Sequence, residues 1–407
     1  MAKYIFLNMP AWGHVNPTLA VAQELVKRGH DVSYYLTEEF RKTVEATGAV
    51  FQPYESKLKD TGNRFDPNGG VPTPGKGPMT MLEDMQFVPP QVIDRIRAEH
   101  PDVILYDFMC TWARVIIEAL HVPAIAMRAT YASNEHFDLI ARMRDSLQNR
   151  PEGQAFLERM KAFQEAQDGS SANPLSAMFN VFSYVEQLNI IFMPKLFQPM
   201  AETFDDRYVF VGPSILPRYQ TTSFPFDQLN NDLPLLYISL GSVANNQPEF
   251  YKQCFAAFAE QPWQVILSIG KYIDRELLGP VPANFLLSSY VPQLDILPRT
   301  QVFVTHAGTN SLMESLYYGV PMVLIPQQPE QQMHARRAVE LGLGTMLEKE
   351  ALNPTTLREA VQQVAYNAEY RAHAQSMQQV IRNSGGYKQA ADAIIQFTQE
   401  HTNTAIR

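Results

Sequence analysis

Short apolar segments typical of β-strands alternate with helical patterns along this chain, and the alternation occurs twice. In the first half, the predicted strands lie at residues 3–8, 31–36, 102–106, 123–127, 189–193 and 207–211. In the second half, they lie at residues 235–240, 264–268, 285–288, 301–305 and 321–325. Such alternation indicates parallel sheets covered by helices. The chain is therefore predicted to form two doubly wound α/β domains.

A proline-rich stretch separates the two alternations. Residues 213–234 contain four prolines and few periodic apolar positions, a composition typical of a linker. We therefore expect a first domain at residues 1–212 and a second at residues 235–385. Residues 386–407 carry a final helical pattern that can pack back on the first domain. Ligands of doubly wound sheets bind at the carboxyl ends of the strands, so the loops there are the most informative.

Two segments of the first half interrupt the alternation. Residues 55–81 are rich in glycine and proline and are predicted to lack regular structure. Residues 142–171 are polar and favour helix, which indicates an insertion. Each segment is interpreted either as a plain surface loop or as a lid over a ligand.

The charge and cysteine content exclude several classes of function. Lys and Arg total 33 against 42 Asp and Glu, whereas nucleic-acid binding needs a basic surface. Cys110 and Cys254 each lie in an apolar run, so reduced core thiols are expected rather than a disulfide or a zinc site. The pattern contains no signal peptide and no apolar stretch of the ~20 residues that a membrane span needs. A cytoplasmic chain without membrane contact is expected.

The strongest cluster of chemical signals follows the predicted strand at residues 301–305. Small residues there open a helix near Thr309, in the run Thr305-His306-Ala307-Gly308-Thr309-Asn310-Ser311. Amides at a helix start, with the helix dipole behind them, bind anions. Gly308 lets the backbone approach a ligand closely. Glu314, one turn into the helix, can accept hydrogen bonds from vicinal hydroxyls.

Flanking residues extend this pattern toward a nucleotide. In the run Tyr290-Val291-Pro292-Gln293, the tyrosine offers a ring for stacking and the glutamine a donor and an acceptor. Gly241 and Ser242 follow the first strand of the second half, where a phosphate contact and a generic strand-to-helix turn would look the same. A base, a ribose and a diphosphate would satisfy these groups together. The spacing alone occurs in many folds.

A histidine follows the first predicted strand. The run Gly13-His14-Val15-Asn16-Pro17 predicts that His14 lies in a loop at the carboxyl end of that strand. The following helix is expected to begin with Asn16 as the cap and Pro17 at its first position. A neutral imidazole can remove a proton from a hydroxyl near neutral pH, although a lone loop histidine is more often inert.

The run from Tyr290 to Gly344 closely resembles the nucleotide-sugar signature of the UDP-glycosyltransferase superfamily, in the version of the bacterial macrolide and flavonoid glycosyltransferases. The resemblance extends over essentially the whole chain. It implies the GT-B fold, in which two Rossmann-like domains face each other across a cleft, the first for the acceptor and the second for the donor. It also implies inverting transfer of a sugar, with glucose expected, from a UDP-sugar to a small lipophilic acceptor such as a flavonoid, a macrolide or another phenol or alcohol.

The resemblance assigns roles to individual residues. His14 becomes the catalytic base, and Asp107 the carboxylate that orients it; read without the resemblance, Asp107 is a helix N-cap. Tyr290 stacks on uracil with Val291 beside it, Gln293 contacts the nucleoside, and Glu314 binds the ribose hydroxyls. The remaining donor contacts are the diphosphate-binding Gly241, Ser242, His306, Gly308, Asn310 and Ser311, and the sugar-binding Glu330 and Gln331.

The acceptor pocket and the sugar preference are less specified. Many family members have tryptophan where this chain has Tyr290 and Gln328; tyrosine preserves a stacking surface, whereas Gln328 leaves the preferred sugar open. Aromatic side chains of the first half are divided between the core and an apolar acceptor wall. The candidates for that wall are Trp12, Phe108, Tyr131 and Phe137.

Metals and cofactors are not expected. No spaced Asp-x-Asp motif is present, since Asp205 and Asp206 are adjacent and lie in the first half. The UDP-sugar would act as a co-substrate, with amides and the helix dipole neutralising the diphosphate. Two alternatives are a nucleotide-sugar epimerase of the same fold and a relative that binds without turnover. A monomer or a weak homodimer is expected.

Overall fold

The computed structural model describes residues 1–60, 76–142, 154, 184–216, 224–230, 232–242, 245–270 and 273–404. Two compact units divide these residues. The first unit holds those up to Leu216 together with those from Ser384 onward, and the second unit holds those in between. Among the described residues, no helix has the length and apolar character needed to cross a bilayer.

The first unit is built on a seven-stranded parallel sheet with the strand order β3-β2-β1-β4-β5-β6-β7. This order reverses direction between β1 and β4, which is the switch point at which doubly wound sheets bind ligands. The strands are β1 Lys3–Leu7, β2 Asp31–Leu36, β3 Val50–Pro53, β4 Val103–Asp107, β5 Ala124–Arg128, β6 Asn189–Ile191 and β7 Tyr208–Phe210. Before the second unit, the helices whose bounds lie in the described residues are α1 Trp12–Lys27, α2 Arg41–Glu45, α3 Lys76–Phe87, α4 Pro89–Ala98 and α5 Thr111–Leu120.

The central strand β1 is buried on both faces, as a parallel sheet requires. Tyr4 and Phe6 pack into one core, whereas Ile5 and Leu7 pack into another on the opposite face. Because side chains alternate along a strand, a continuous apolar run can serve two helical layers at once. This explains why the run after Lys3 is apolar at every position rather than at every second one.

The second unit repeats the pattern with a six-stranded parallel sheet, in the order β10-β9-β8-β11-β12-β13. Its switch point lies between β8 and β11. The strands are β8 Leu235–Ser239, β9 Gln264–Ser268, β10 Phe285–Ser288, β11 Thr300–Thr305, β12 Met322–Leu324 and β13 Gly344–Met346. The helices are α6 Pro248–Phe258, α7 Gln293–Ile296, α8 Thr309–Tyr317, α9 Pro329–Glu340, α10 Pro354–Tyr366 and α11 Ala368–Asn383. Two parallel α/β sheets were predicted, and this fold class is confirmed.

The last helix, α12 Gly386–Thr404, belongs to the first unit rather than to its sequence neighbours. It lies against α1 and contributes Ala390, Ala391 and Ile394 to the core that also contains Tyr4. Arg28, at the end of α1, donates from Nε to Glu24 at 2.9 Å and pairs with Asp392 of α12. The two helices are therefore joined by apolar burial and by an ion-pair network.

Some local predictions are wrong. The helix predicted to start at Asn16 and Pro17 begins at Trp12, because the amides of His14 and Val15 both bond to the Ala11 carbonyl at 2.9 Å and close the first turn earlier. Pro17 lies inside α1.

The two interrupting segments are only partly described. The segment at residues 55–81 was expected to be irregular, yet it contains the 3₁₀ turn Lys57–Asp60 and the start of α3. Residues 61–75 lie outside the described residues, as does most of the segment predicted at 142–171. Cys110 and Cys254 are buried and unpaired with one another, as expected.

Candidate active site

The switch point of the first unit brings His14 and Asp107 together. His14 lies in the first turn of α1, immediately after β1, and Asp107 is the last residue of the neighbouring strand β4. Nδ1 of His14 donates to Oδ2 of Asp107 at 2.9 Å. The Asp107 side chain is 1% exposed and that of His14 is 22% exposed. The imidazole thus bridges a buried carboxylate and the surface of the unit.

Asp107 is oriented by a second hydrogen bond. Its Oδ1 accepts from the amide of Met109 at 2.9 Å, and Oδ2 remains directed at His14. The N-cap of α5 is Cys110, so the alternative interpretation of Asp107 as a helix N-cap is wrong. With both oxygens engaged, the carboxylate holds the imidazole in the tautomer that carries its proton on Nδ1.

Asn8 supports the same turn from behind, and sequence reasoning did not identify it. It is fully buried after β1, and its Nδ2 donates to the His14 carbonyl at 3.3 Å and to the Tyr34 hydroxyl at 2.8 Å. The same Nδ2 lies 2.9 Å from Oγ1 of Thr18. A buried asparagine at the end of an otherwise apolar strand is the signal that could have revealed this network, because a buried amide needs partners.

The four aromatic candidates for the acceptor wall lie in different environments. Phe108 is buried, with its ring centroid 6.2 Å from that of His14. Tyr131 and Phe137 are also buried and form an edge-to-face pair at 5.8 Å. Trp12 is 44% exposed and packs on Phe40 with ring centroids 4.6 Å apart. Their role in acceptor binding stays a prediction.

In the second unit, the loops after β8 and β11 meet at the switch point. The helix predicted near Thr309 begins there, with Gly308 as its N-cap. Ser242 is exposed, and Asn310 and Ser311 are partly exposed in the first turn of α8. The first turn of a helix directs its backbone amides toward the helix start, which makes this turn suited to an anion.

His306 lies between two of the candidate glycines. A Cβ on Gly241 would lie 2.5 Å from Cε1 of His306, and a Cβ on Gly308 would lie 2.4 Å from its Nε2. Burial lowers the pKa of His306 to about 4, so the imidazole is neutral at pH 7. Its single N–H is hydrogen-bonded to the backbone of Ser239, so the ring brings no positive charge to this loop.

The nucleoside candidates form a second polar group. Nε2 of Gln293 donates to Oε2 of Glu314 at 2.6 Å, and the Tyr237 hydroxyl donates to Oε1 of Gln293 at 3.2 Å. Glu314 is 2% exposed, whereas Tyr290 is 44% exposed and offers its ring to a planar ligand. Val291 is buried beside it. Tyr237 was not predicted, because its position inside an apolar strand is typical of a core residue.

The sugar candidates lie at the start of α9. Glu330 is partly exposed in its first turn. Gln331 is 9% exposed, and its Oε1 accepts from the amide of Gln327 at 2.8 Å. Gln327 in turn accepts from Nε2 of Gln247 at 2.8 Å. The amide orientation of Gln331 is thereby fixed, with its NH₂ group as the donor available to a ligand.

The part of the chain that the structure describes contains no candidate metal site. No group of three or more His, Cys, Asp and Glu side chains there is arranged to hold an ion. Asp205 instead pairs with Arg207, at 2.7 Å.

Two parallel sheets with Rossmann-type strand order, each with a polar site at its switch point, are the arrangement expected of a GT-B glycosyltransferase. The chain is 39% identical to the NDP-glycosyltransferase YjiC of Bacillus subtilis (strain 168) over 409 residues, covering 98% of this chain and 99% of that protein. It is 32% identical to the demethyllactenocin mycarosyltransferase of Streptomyces fradiae, covering 97% of this chain and 86% of that protein.

A solved structure and a family model agree with these relatives. The calicheamicin glycosyltransferase CalG4 superposes with a TM-score of 0.78 at 30% identity, covering 98% of this chain and 99% of that one. Residues 226–384 match the family model "UDP-glucoronosyl and UDP-glucosyl transferase". The chain belongs to this family and is a glycosyltransferase that uses a nucleotide-sugar donor.

Proposed function

We propose that this enzyme transfers a sugar from a UDP-sugar to a hydroxyl of a small lipophilic acceptor, with inversion at the anomeric carbon and without a metal ion. The single observation that carries the proposal is the hydrogen bond of 2.9 Å between His14 and Asp107 at the switch point of the first sheet. An imidazole oriented by a buried carboxylate is the arrangement that general-base activation of a hydroxyl requires.

In the proposed reaction, His14 removes the acceptor proton. Its Nδ1 proton is donated to Asp107, so Nε2 is the basic nitrogen of the neutral ring. As the acceptor oxygen attacks the anomeric carbon, the proton moves to Nε2 and the bond from that carbon to the diphosphate breaks on the opposite side. Asp107 stabilises the imidazolium that forms. A single displacement of this kind inverts the anomeric configuration.

The second unit supplies the leaving-group side of the proposal. The first turn of α8 presents backbone amides beside the neutral His306, and the absence of side chains at Gly241 and Gly308 leaves room for the His306 ring. Amides and the helix dipole would neutralise the developing diphosphate charge without a cation. This arrangement supports metal-independent chemistry with no further cofactor.

Recognition of the nucleoside and of the sugar is proposed from side-chain chemistry. The exposed ring of Tyr290 would stack on uracil, and the carboxylate of Glu314 would accept from the ribose hydroxyls. Glu330 would accept from sugar hydroxyls and Gln331 would donate to them. Glucose is the sugar that we propose. Gln328, which precedes this pair, is the position at which a different preference would be encoded.

For the acceptor, we propose an apolar partner with one reactive hydroxyl, such as a flavonoid or a macrolide. Support comes from the aromatic surroundings of His14, since Phe108 lies 6.2 Å from the imidazole, centroid to centroid. Trp12, two residues before His14, is the exposed member of the aromatic group. A flat or greasy ligand would gain burial against such side chains.

The decisive experiment is mass spectrometry of products after incubation with UDP-glucose and a panel of flavonoids, macrolides and simple phenols. We expect acceptor masses increased by one hexose, an inverted anomeric configuration by NMR, and an unchanged rate in EDTA. His14→Ala serves as the control and should still bind UDP. Epimerised UDP-sugar without any acceptor product would support the epimerase alternative, and UDP-sugar binding without conversion would support the binding-only relative. Loss of activity in EDTA, restored by Mg²⁺, would contradict the metal-free mechanism.

A further inference from the structure

One residue of the candidate diphosphate loop has an unusual backbone conformation. Ala307 lies between His306 and Gly308 with φ of 64°, in the left-handed region that disfavours residues with a Cβ. It is also fully buried, at 0% exposure. A conformation of this kind persists only where neighbouring groups hold it, so the loop needs an external support.

One neighbour of Ala307 is His334 of α9. The imidazole is fully buried and is hydrogen-bonded to the backbone of Ala307. Because this bond favours the protonated ring, the imidazole is the donor and the Ala307 carbonyl is the acceptor. Burial itself lowers the pKa of His334, so the ring donates as a neutral imidazole. The sequence shows only a histidine on a helix, which is more often a plain core residue.

His334 lies on α9, the same helix as the candidate sugar-binding residues. It follows Glu330 by four residues and Gln331 by three, so the three side chains share one side of the helix. The helix that carries the candidate sugar contacts is thus bonded directly to the loop that opens α8. One hydrogen bond links the two parts of the donor site.

We propose that His334 is a positioning residue for the nucleotide diphosphate, which holds Ala307 in its left-handed conformation and thereby directs the first amides of α8 toward the phosphates. The inference rests on the proposed function, since it assigns the diphosphate to this loop. His334 touches no ligand in this role and acts through the backbone of Ala307.

The test compares UDP affinity, measured by calorimetry, among variants of these two residues. His334→Leu keeps much of the volume and removes the donor, so the loop relaxes and UDP should bind about tenfold more weakly. His334→Gln keeps a donor of similar reach and should recover most of the affinity. Ala307→Gly adopts the left-handed conformation without help, so it should reduce the loss that His334→Leu causes.

A matched control separates positioning from simple destabilisation. Val364→Ala shortens another buried side chain of the second unit, on α10, and should lower the thermal midpoint without changing UDP affinity. Unaltered UDP affinity in His334→Leu would overturn the proposal. So would a loss of affinity in His334→Leu that is the same whether residue 307 is alanine or glycine. If His334→Leu does not fold, His334→Asn replaces it, because the shorter amide of asparagine cannot reach Ala307. Unchanged UDP affinity in His334→Asn would also overturn the proposal.

The two hypotheses can fail separately. Weakened UDP binding in His334→Leu, together with no sugar transfer by the parent enzyme under any condition, would refute the proposed function alone. Sugar transfer by the parent with UDP affinity insensitive to His334 would refute the positioning role alone.

Discussion

The ring of His306 packs against the α-carbon of Gly241, so that a Cβ at position 241 would lie 2.5 Å from Cε1 of the imidazole. Gly241 also has φ of 77°, which a side chain disfavours. Gly241→Ala should therefore displace His306 and weaken UDP binding by about tenfold or more. Calorimetry with UDP measures the effect. Gly13→Ala is the control, because a Cβ there meets nothing within 4 Å, and an equal loss in that variant would contradict the argument.

The pair formed by His14 and Asp107 predicts a selective loss of chemistry. His14→Ala should reduce transfer to an aliphatic alcohol by about 10²–10⁴-fold, while UDP affinity stays unchanged. A strongly acidic phenol should suffer less, since it is already partly ionised. Asp107→Asn should reduce the same rate, because a neutral amide cannot stabilise the imidazolium and its NH₂ group can hold the ring in the other tautomer. Near-parental turnover of the alcohol by His14→Ala would remove the base from the mechanism.

Glu314 predicts a dependence on the ribose. Glu314→Ala should weaken UDP binding by about 10–100-fold, the usual value of a hydrogen bond to a charged group. The loss should be smaller for 2′-deoxy-UDP, which lacks one of the hydroxyls. Glu314→Gln is the matched variant, since it keeps the shape but replaces one acceptor oxygen beside Gln293. Identical losses for both nucleotides would mean that Glu314 does not contact the 2′-hydroxyl.

His306 and His334 of the second unit predict a pH dependence of stability. Burial lowers the pKa of His306 to about 4, below the value of about 6.5 for an unfolded chain. Between these values the unfolded state binds more protons, so the free energy of unfolding decreases as the pH falls. His334 shifts in the same direction. Urea midpoints measured at several pH values should fall less steeply with acidification in His306→Gln; parallel curves would be inconsistent with this assignment.

Acceptor choice should follow the first unit. A chimera that takes residues 1–216 and 384–407 from a relative should inherit its acceptors and keep this chain's sugar preference. The last helix must travel with the first unit, because its side chains complete that core. Within the chain, Trp12→Ala should change acceptor preference by about 1–3 kcal/mol without altering UDP affinity. Acceptor range that followed residues 217–383 would refute this division.

The sequence predicted the sheets well because central strands of parallel sheets are continuous apolar runs. Two edge strands, β3 Val50–Pro53 and β13 Gly344–Met346, were not predicted. The first has exposed residues at both ends and closes with proline, and the second has only three residues, so neither carries a strong apolar pattern. Edge positions depend on pairing with a neighbour more than on local composition.

The candidate site was predictable where a motif lies at a strand end. His14 and Asp107 are 93 positions apart, and only the strand order, with β1 beside β4, brings them into contact. The contact between His334 and Ala307 has no local signal, since a left-handed alanine looks like any alanine in a sequence. Supporting residues of this kind are fixed by tertiary packing.

The position of α12 has a consequence for biosynthesis. The second unit is contiguous between the two parts of the first, so a ribosome completes it while the first still lacks Ala390, Ile394 and Phe397 of its core. Until those residues emerge, α1 exposes the apolar surface that they will cover. The second unit is therefore complete before the first unit, although synthesis of the first unit starts earlier. Chaperones that bind apolar helices would meet α1 in that interval.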